Sequence, residues 1–252
     1  MPTVKEVLND TKKRLKEQGI DTYSLDSSLL VSEVTGLTKI QLVTHDRDEV
    51  TEEQINRLEN LVKERLKNKP MQYILGHCEF MGLDFKVTEN TLIPRGDTEN
   101  IVEEVIATIE NSGYNNVLDM CTGTGAIAIS VAHYTKAKVT ASDISSKALE
   151  VARENAKILN ADVNFIESDL FENINETFDV LVSNPPYIES EVIPTLMEQV
   201  KDYEPMLALD GGKDGLDFYR NIINQAKNYI NQNGCIVFET VSYTHLTLPT
   251  IA

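Results

Sequence analysis

Residues 183–188 read S-N-P-P-Y-I and follow an apolar run that predicts a buried strand. One interpretation is structural, because proline ends strands and asparagine favours turns. The other is chemical: an amide or aromatic NH2 group is a poor nucleophile, and its methylation requires hydrogen-bond acceptors and a fixed plane. Asn184 can supply a side-chain carbonyl and Pro185 a backbone carbonyl. Pro186 stiffens the segment, and Tyr187 can pack on the flat face of a substrate.

A glycine-rich segment, D-M-C-T-G-T-G-A-I-A at 119–128, follows an earlier predicted strand and precedes a helix. Gly123 and Gly125 allow a tight turn and close approach of a ligand to the backbone. Asp143 ends the next predicted strand, where a carboxylate can bind ribose hydroxyls. Read alone, this pattern is shared by NAD-binding proteins and by proteins that bind other adenosine-containing cofactors, and a plain turn between strand and helix is a third reading.

Two further features disfavour NAD. Asp119 stands at the end of the first strand, where a carboxylate can hold the ammonium group of a cofactor. Asp169 follows the third strand and can accept from an adenine amino group, while Leu170 packs on the adenine face. Carboxylates at three successive strand ends, beside a glycine loop, together favour an adenosine-containing cofactor other than NAD.

The surrounding pattern predicts the elements that position these residues. Residues 1–68 show helical periodicity and predict a small all-α domain, and 69–97 predict a β-hairpin linker that includes Y-I-L-G-H-C-E-F and L-D-F-K-V. From residue 98 to 240, helices and strands alternate, with one long helix predicted over 217–230 and a strand over 234–240. This alternation predicts an α/β fold with a doubly wound, mostly parallel, Rossmann-like sheet.

Composition narrows the class of partner. The net charge is −17, and almost all of the excess lies in residues 71–252, which disfavours nucleic acid as the main partner. Cys78, Cys121 and Cys235 are spaced for neither a disulfide framework nor a zinc site, so no metal is expected. No signal peptide or membrane-spanning run is recognisable, and we expect a cytoplasmic, monomeric protein.

Several motifs together resemble one family. D-x-x-T-G-T-G, S-D-L-F and N-P-P-Y are similar to those of class I S-adenosylmethionine-dependent methyltransferases that act on planar nitrogen. The wider pattern resembles the release-factor glutamine N5-methyltransferases (PrmC/HemK). That match includes the helical N-terminal part, Q-Y-I-L-G (72–76), L-I-P-R-G-D-T-E (92–99), E-P (204–205) and A-L-D-G-G-K-D-G-L-D-F-Y-R (208–220), and it extends to about residue 240.

The resemblance implies S-adenosylmethionine as cofactor and, as substrate, the glutamine of the Gly-Gly-Gln loop in peptide chain release factors. Residues 184–187 would hold that glutamine, and the helical domain would bind the rest of the factor. The expected cofactor-binding residues, some from the family and some from the strand-end argument above, are Asp119, Cys121, Thr122, Gly123, Thr124, Gly125, Asp143, Asp169, Leu170 and Asn184.

The chain departs from the family in three places. Cys121 stands where a glycine is usual, and Gly96 stands where a proline is usual. After residue 240 the sequence V-S-Y-T-H-L-T-L-P-T-I-A does not resemble the family's end. We therefore expect residues 241–252 to be a non-native tail and the last two strands of the sheet to be missing.

Three other functions stay open at this stage. N-P-P-Y is shared with adenine-N6 methyltransferases of DNA or RNA, although the acidic charge argues against them. A glutamine methyltransferase acting on a ribosomal protein would have the same chemistry. A module that binds the cofactor or a partner without turnover is the third.

Overall fold

A computed structural model of the chain describes residues 1–240, so the tail predicted at 241–252 lies outside the described residues. The chain divides into two compact units. The first combines Met1–His77 with Met197–Tyr203, and the second combines Cys78–Leu196 with the chain from Glu204 onward. Within residues 1–240, every helix is too short or too polar to span a bilayer.

The first unit is helical. Its helices are α1 (Val4–Glu17), α2 (Tyr23–Thr35), α3 (Gln41–Thr44), α4 (Glu52–Arg65) and α5 (Met71–Leu75). Capping boxes begin two of them, because the side chains of Thr3 and Thr51 each accept from a first-turn N–H. Within the core, Arg65 Nε donates to Asp26 Oδ2 at 2.7 Å. These caps and the buried pair fix the ends and spacing of short helices that could not persist alone.

The second unit contains both sheets. A two-stranded sheet pairs β1 (His77–Phe80) with β2 (Leu83–Lys86). The main sheet comprises β3 (Asn116–Met120), β4 (Lys138–Asp143), β5 (Val163–Glu167), β6 (Phe178–Ser183) and β7 (Ile230–Phe238). The other helices are α6 (Asp97–Ser112), α7 (Ala126–Tyr134), α8 (Ser146–Ile158), α9 (Glu198–Lys201, in the first unit), α10 (Met206–Leu209) and α11 (Asp217–Ala226), with a 3-10 turn at Ile193–Thr195.

The main sheet is parallel throughout, in the order β5-β4-β3-β6-β7. Alternate residues of β3 serve two cores: Val117 packs with α6 and α7, whereas Leu118 packs with α11. Because both faces are covered, the strands are apolar runs rather than alternating ones. The predicted α/β, doubly wound fold is confirmed. Its strand order reverses between β3 and β6, where such sheets bind ligands.

Two predicted elements were wrong in extent. Residues 73–75 belong to α5 rather than to a strand, because Gly76 ends that helix in a left-handed conformation and β1 begins only at His77. The helix predicted over 217–230 ends at Ala226, and β7 begins at Ile230, which pairs with Phe178. A bulge then separates that pair from the Val180–Cys235 pair, and the bulge obscured the strand's period in the sequence.

Candidate functional site

The loop from β3 to α7 has an enforced backbone shape. Cys121, Gly123 and Gly125 all have positive φ, at 63°, 56° and 80°. A Cβ atom on Gly125 would lie 2.8 Å from Ile129 Cδ1, so the first turn of α7 packs against this glycine and excludes larger residues. The loop therefore turns sharply and delivers its N–H groups to the carboxyl end of the sheet.

Asp119 lies beneath this loop and is fully buried. Its Oδ2 accepts from Thr122 Oγ1 at 2.5 Å and from the Ala128 N–H at 3.1 Å, which ties the loop to α7. Its Oδ1 is buried without a hydrogen-bond partner. Burial raises the pKa of Asp119 to about 7, and the two hydrogen bonds oppose that rise only in part.

Asp143, at the end of β4, is fixed by backbone donors on both sides. Gly123 N donates to Oδ2 and Ser145 N donates to Oδ1, each at 2.9 Å. Burial raises the pKa of this carboxyl, against the effect of those donors. Each oxygen keeps a second lone pair, so the side chain can still accept from hydroxyl groups of a ligand.

The turn after β5 presents Leu170 in a left-handed conformation, with φ of 45°. Ser168 stabilises the turn, because its hydroxyl donates to the Leu170 carbonyl at 2.9 Å and accepts from the Asn173 N–H at 3.0 Å. A leucine in this conformation costs energy, which indicates that the turn is held by its surroundings. It places Asp169 and Leu170 beside the loop of Asp143.

The segment Asn184–Tyr187 leaves the end of β6 and is packed tightly from behind. A Cβ on Gly211 would lie 2.7 Å from Tyr187 Cα, and one on Gly215 would lie 2.3 Å from the Tyr187 carbonyl oxygen. Ile188 N donates to Leu209 O, and Gly211 N donates back to Ile188 O. The glycine-rich stretch 211–215 therefore packs closely against the backbone of Pro186 and Tyr187 and braces the end of this segment. Burial, with the nearby Glu239 carboxylate second, raises the pKa of Tyr187.

An ion pair joins two distant segments beside this brace. Arg95 Nη2 donates to both oxygens of Glu204, at 2.7 and 2.6 Å. The Glu204 side chain is 1% exposed. Burial raises the pKa of Glu204, and the Arg95 charge offsets this partly. The pair fixes the segment that leads into α10 against the segment that leads into α6.

These segments enclose a cavity of about 270 Å³. Nine of the predicted site residues line it, and the structure thus brings together the glycine loop, the strand-end carboxylates and the residues after β6. They are Cys121, Thr122, Gly123, Thr124, Asp143, Asp169, Leu170, Asn184 and Pro186.

Four predicted site residues do not line the cavity: Asp119, Gly125, Pro185 and Tyr187. Asp119 and Gly125 lie behind the loop and shape it. Pro185 is buried and Tyr187 half-buried, next to cavity-lining neighbours. The roles assigned to all four stay predictions.

Other lining residues carried no predicted role. They come from the segment before α6, from the first turn of α6, and from α10 and α11, and include Thr91, Leu92, Pro94, Arg95, Thr98, Leu207, Ala208 and Phe218. The motifs at 92–99, 204–205 and 208–220 contain most of them, so the signal was present as family motifs without an assigned contact.

The cavity suits a cofactor with an adenosine part and a positive charge. Asp143 and Asp169 line it, and Asp119 adds a carboxylate with one unpartnered oxygen behind it. A Cβ placed on Gly123 would meet nothing within 4 Å, so the loop leaves open space above this residue for a ligand. Leu170 offers an apolar surface for a flat ring.

Comparison with known proteins places the chain in a family. Two family profiles match: the PrmC N-terminal domain over residues 6–76 and the methyltransferase small domain over residues 101–211. The release factor glutamine methyltransferase of Clostridium acetobutylicum is 43% identical, over 94% of this chain and 85% of that protein. The enzyme of the same name from Geobacter sulfurreducens is 40% identical, over 94% and 84%.

Among solved structures, a methyltransferase from Pyrococcus furiosus aligns over 71% of this chain and 78% of its own, with 22% identity and a TM-score of 0.46. The sequence relatives carry the assignment, because their identity extends over both units and through the whole cavity. The chain belongs to the release factor glutamine methyltransferase family.

Proposed function

We propose that this protein transfers a methyl group from S-adenosylmethionine to the side-chain amide nitrogen of the glutamine in the Gly-Gly-Gln motif of a peptide chain release factor. The relatives' shared name supplies the class of substrate. One observation of the site supports the chemistry most directly: Asn184 and Pro186 line the same cavity as the glycine loop and Asp143. An acceptor for an amide, on Asn184, and a place for a cofactor thus meet in one space.

Asn184 and Pro185 are available to hold the amide. Within residues 1–240, no backbone N–H donates to the Pro185 carbonyl, and the Asn184 amide interacts with the Glu239 carboxylate, which accepts only from Nδ2 and so leaves Oδ1 open. Two acceptors can therefore receive the two N–H bonds of a glutamine amide and fix its plane. Gly211 and Gly215 brace the adjoining backbone of Pro186 and Tyr187, so the reaction is promoted chiefly by positioning.

When bound, S-adenosylmethionine supplies an electrophilic methyl group on a positively charged sulfur. The amide nitrogen is a weak base, and its proton becomes acidic as the nitrogen gains the methyl group. The site therefore needs acceptors that orient the N–H bonds, and the proton can pass to water as the methyl group arrives, so no strong base is required. Tyr187 keeps its hydroxyl proton at neutral pH, since burial raises its pKa, and its ring can pack against the glutamine plane.

The cofactor would be held on the β3–β4–β5 side of the cavity. Asp143 is placed to accept from ribose hydroxyls, and Leu170 to cover the adenine, with Asp169 beside it as acceptor for the amino group. The loop Cys121–Gly125 would border the methionine part, with Asp119 beneath it. Carboxylates here favour a cationic sulfur over a neutral one, which supports product release after transfer.

The helical unit, which contains the PrmC N-terminal domain match, would bind the release factor outside its glutamine loop. Action on a release factor implies work in the cytoplasm, where translation terminates. A monomer would suffice, because every residue assigned to the cavity comes from one chain.

The test is the intact mass of a recombinant release factor after incubation with the protein and S-adenosylmethionine, followed by peptide mapping. We expect one added methyl group, on the Gly-Gly-Gln glutamine. Asn184→Ala should lower the transfer rate by at least about a thousandfold, while S-adenosylmethionine binds within about threefold of the unsubstituted protein. Asn111→Ala, which alters an exposed asparagine of α6, is the matched control and should transfer at the normal rate.

Other outcomes are equally decisive. Methyl transfer to a DNA or RNA oligonucleotide, with none to the release factor, would replace the proposal by an adenine-N6 activity. Transfer to a ribosomal-protein glutamine would keep the chemistry and change the substrate. Undiminished transfer by Asn184→Ala would refute the role given to that side chain.

A further inference from the structure

Glu239 occupies a buried position next to the substrate acceptors. The last pair in the β6–β7 register is Ser183 with Phe238. The residues that follow them in the two strands, Asn184 and Glu239, therefore lie side by side. Its N–H donates to the Ser183 carbonyl at 3.1 Å, and its carbonyl accepts from Tyr219 Oη at 2.6 Å. The backbone of Glu239 is thus fixed on both sides, and the residue is only 8% exposed.

The carboxylate of Glu239 lacks the partners that its burial calls for. Its Oε2 is buried without a hydrogen-bond partner, and so is the hydroxyl of Thr98, a residue 4% exposed that lines the cavity. A buried acceptor left unpaired costs roughly 1–3 kcal/mol, so a fold retains one where another role requires it. Both atoms lie in one corner of the fold, next to Asn184.

The polar groups around this carboxylate include the amide of Asn184. Burial raises the pKa of Glu239 overall, whereas the nearby Thr98 hydroxyl and Asn184 amide both lower it. Asp97 also raises the pKa, more strongly than Asn184 lowers it, and Arg95 lowers it with the smallest effect. Glu239 itself does not line the cavity. Any effect on the substrate must therefore pass through a neighbour that does.

Asn184 needs such a neighbour, because an asparagine amide has two ends of similar shape and opposite hydrogen-bonding character. To accept from a glutamine NH2 group, Asn184 must direct Oδ1 into the cavity and Nδ2 away from it. If the Asn184 amide rotated by half a turn, its NH2 group would face the NH2 group of the glutamine. Two donors would then oppose each other, and the glutamine amide would not bind. A carboxylate behind Asn184 prevents this, since it accepts only from Nδ2.

We propose that Glu239 is a positioning residue for Asn184: its carboxylate accepts a hydrogen bond from the Asn184 amide nitrogen and so holds Oδ1 toward the glutamine amide. The expected direction of the effect on turnover rests on the proposed function. The Thr98 hydroxyl lies beside the same carboxylate and is a second potential donor to it. Glu239 thus determines which end of the Asn184 amide faces the substrate, rather than where the side chain lies.

Glu239→Leu tests the proposal, because leucine keeps the apolar bulk and removes the acceptor. We expect kcat to fall 30- to 100-fold, with S-adenosylmethionine affinity within twofold and no loss of thermal stability, since a buried carboxylate is removed. Glu239→Gln, whose side-chain carbonyl can still accept from Asn184, should retain kcat within about fivefold. A purely structural role for Glu239 would instead lower stability in Glu239→Leu.

The double variant isolates the route of the effect. If Glu239 acts only through Asn184, adding Glu239→Leu to Asn184→Ala should change the residual rate by less than twofold. A further loss of tenfold or more, or a wild-type kcat in Glu239→Leu alone, would overturn the proposal.

A measurement without turnover separates this proposal from the proposed function. In ¹⁵N NMR spectra, the Asn184 NH2 signals, identified by their loss in Asn184→Ala, should exchange slowly with water in the wild type. They should exchange at least tenfold faster in Glu239→Leu. Identical exchange in the two proteins refutes the hydrogen bond even if methyl transfer is found, and protected signals support it even if the release factor proves not to be the substrate.

Discussion

On the β3–β4–β5 side of the cavity, Asp143 accepts backbone N–H groups at both oxygens, and the turn at Leu170 is closed by Ser168. On the β6–β7 side, Glu239 Oε2 is buried without a hydrogen-bond partner, and so is the neighbouring hydroxyl of Thr98. The first side fixes its binding loops with hydrogen bonds of its own before any ligand arrives. The second side keeps hydrogen-bonding capacity open.

This difference matches what each side would bind. A nucleoside cofactor is recognised by hydroxyl groups, a ring face and charge, which preformed loops can supply with spare lone pairs. A glutamine amide must be held in one plane with both N–H bonds directed at acceptors, so those acceptors cannot be used internally. On the first side, Asp119 Oδ1 and the hydroxyls of Thr140 and Ser142 on β4 are also buried without a partner.

Gly211→Ala should lower methyl transfer strongly, though less than Asn184→Ala, because it disturbs the β6–β7 side through backbone rather than through a side chain. The added Cβ would lie 2.7 Å from Tyr187 Cα and 2.8 Å from Pro186 O, atoms that cannot move away independently. We expect methyl transfer to fall about a hundredfold and the free energy of unfolding to fall by roughly 1–3 kcal/mol. Calorimetric binding of S-adenosylmethionine should change by less than threefold.

The matched control is Gly96→Ala. Gly96 has φ of −57°, and a Cβ there would meet nothing within 4 Å. It should leave transfer and cofactor binding unchanged. If Gly211→Ala weakened cofactor binding as much as methyl transfer, the two sides of the cavity would not be separable as described.

Asp143→Asn should weaken cofactor binding more than methyl transfer, the reverse of what is expected for Gly211→Ala. An asparagine can accept from only one of Gly123 N and Ser145 N, and it loses the charge that favours ribose hydroxyls and a cationic cofactor. We expect the dissociation constant for S-adenosylmethionine to rise about 30-fold, with kcat at saturating cofactor within threefold of wild type. A large loss of kcat at saturation would place Asp143 in the chemistry of transfer and break the comparison.

The sequence predicted the first side better than the second. Asp143 and the glycine loop are signalled locally, because each lies where a strand ends and a turn begins. The partner of Arg95 is 109 positions away, and no periodicity connects Arg95 to Glu204. The position of Glu239 depends on the register of β6 against β7, which follows a bulge.

The errors in element boundaries have the same origin. The helical period of 217–230 runs on past Ala226, and only the pairing of Ile230 with Phe178 shows that β7 has begun. Local propensity was overridden there by long-range contacts. Asn184 was predictable as an acceptor because its neighbours are prolines, whereas the group that orients its amide was not.

Asp119→Asn tests the buried Asp119 carboxyl, with its unpartnered oxygen, through the pH dependence of stability. The folded pKa of about 7 exceeds the ordinary carboxyl value of 3.8. Between those values the folded protein keeps a proton that the unfolded chain has lost, so this group's contribution to stability falls as pH rises from about 4 to 7 and then levels. Asparagine does not titrate and can present one oxygen to both Thr122 and Ala128.

The stability of Asp119→Asn relative to wild type should therefore increase over that range, by on the order of 2–4 kcal/mol, with little change above pH 8. Urea unfolding of both proteins at pH 5, 6, 7 and 8 measures this difference. A constant difference across the series would mean that Asp119 carries its charge in the folded protein throughout. Asp119 Oδ1, which has no partner, would then need a cationic neighbour that the loop does not supply.

Cys121→Gly should give the smallest change and concerns the backbone of the first side alone. Cys121 has φ of 63°, which costs a non-glycine residue about 1 kcal/mol, and glycine would remove that strain. The unfolded chain gains freedom with glycine, which offsets part of the benefit. We expect a net change of at most about 1 kcal/mol in the free energy of unfolding, and cofactor binding within threefold.

This substitution decides whether the β3–β4–β5 side holds its shape through hydrogen bonds or through the bulk of its side chains. The bonds from Asp119 and Asp143 do not involve Cys121, so the loop should keep its shape without the thiol. If Cys121→Gly weakened cofactor binding tenfold or more, the thiol would be part of the binding surface. The first side would then depend on side-chain contact with its ligand, as the second side does.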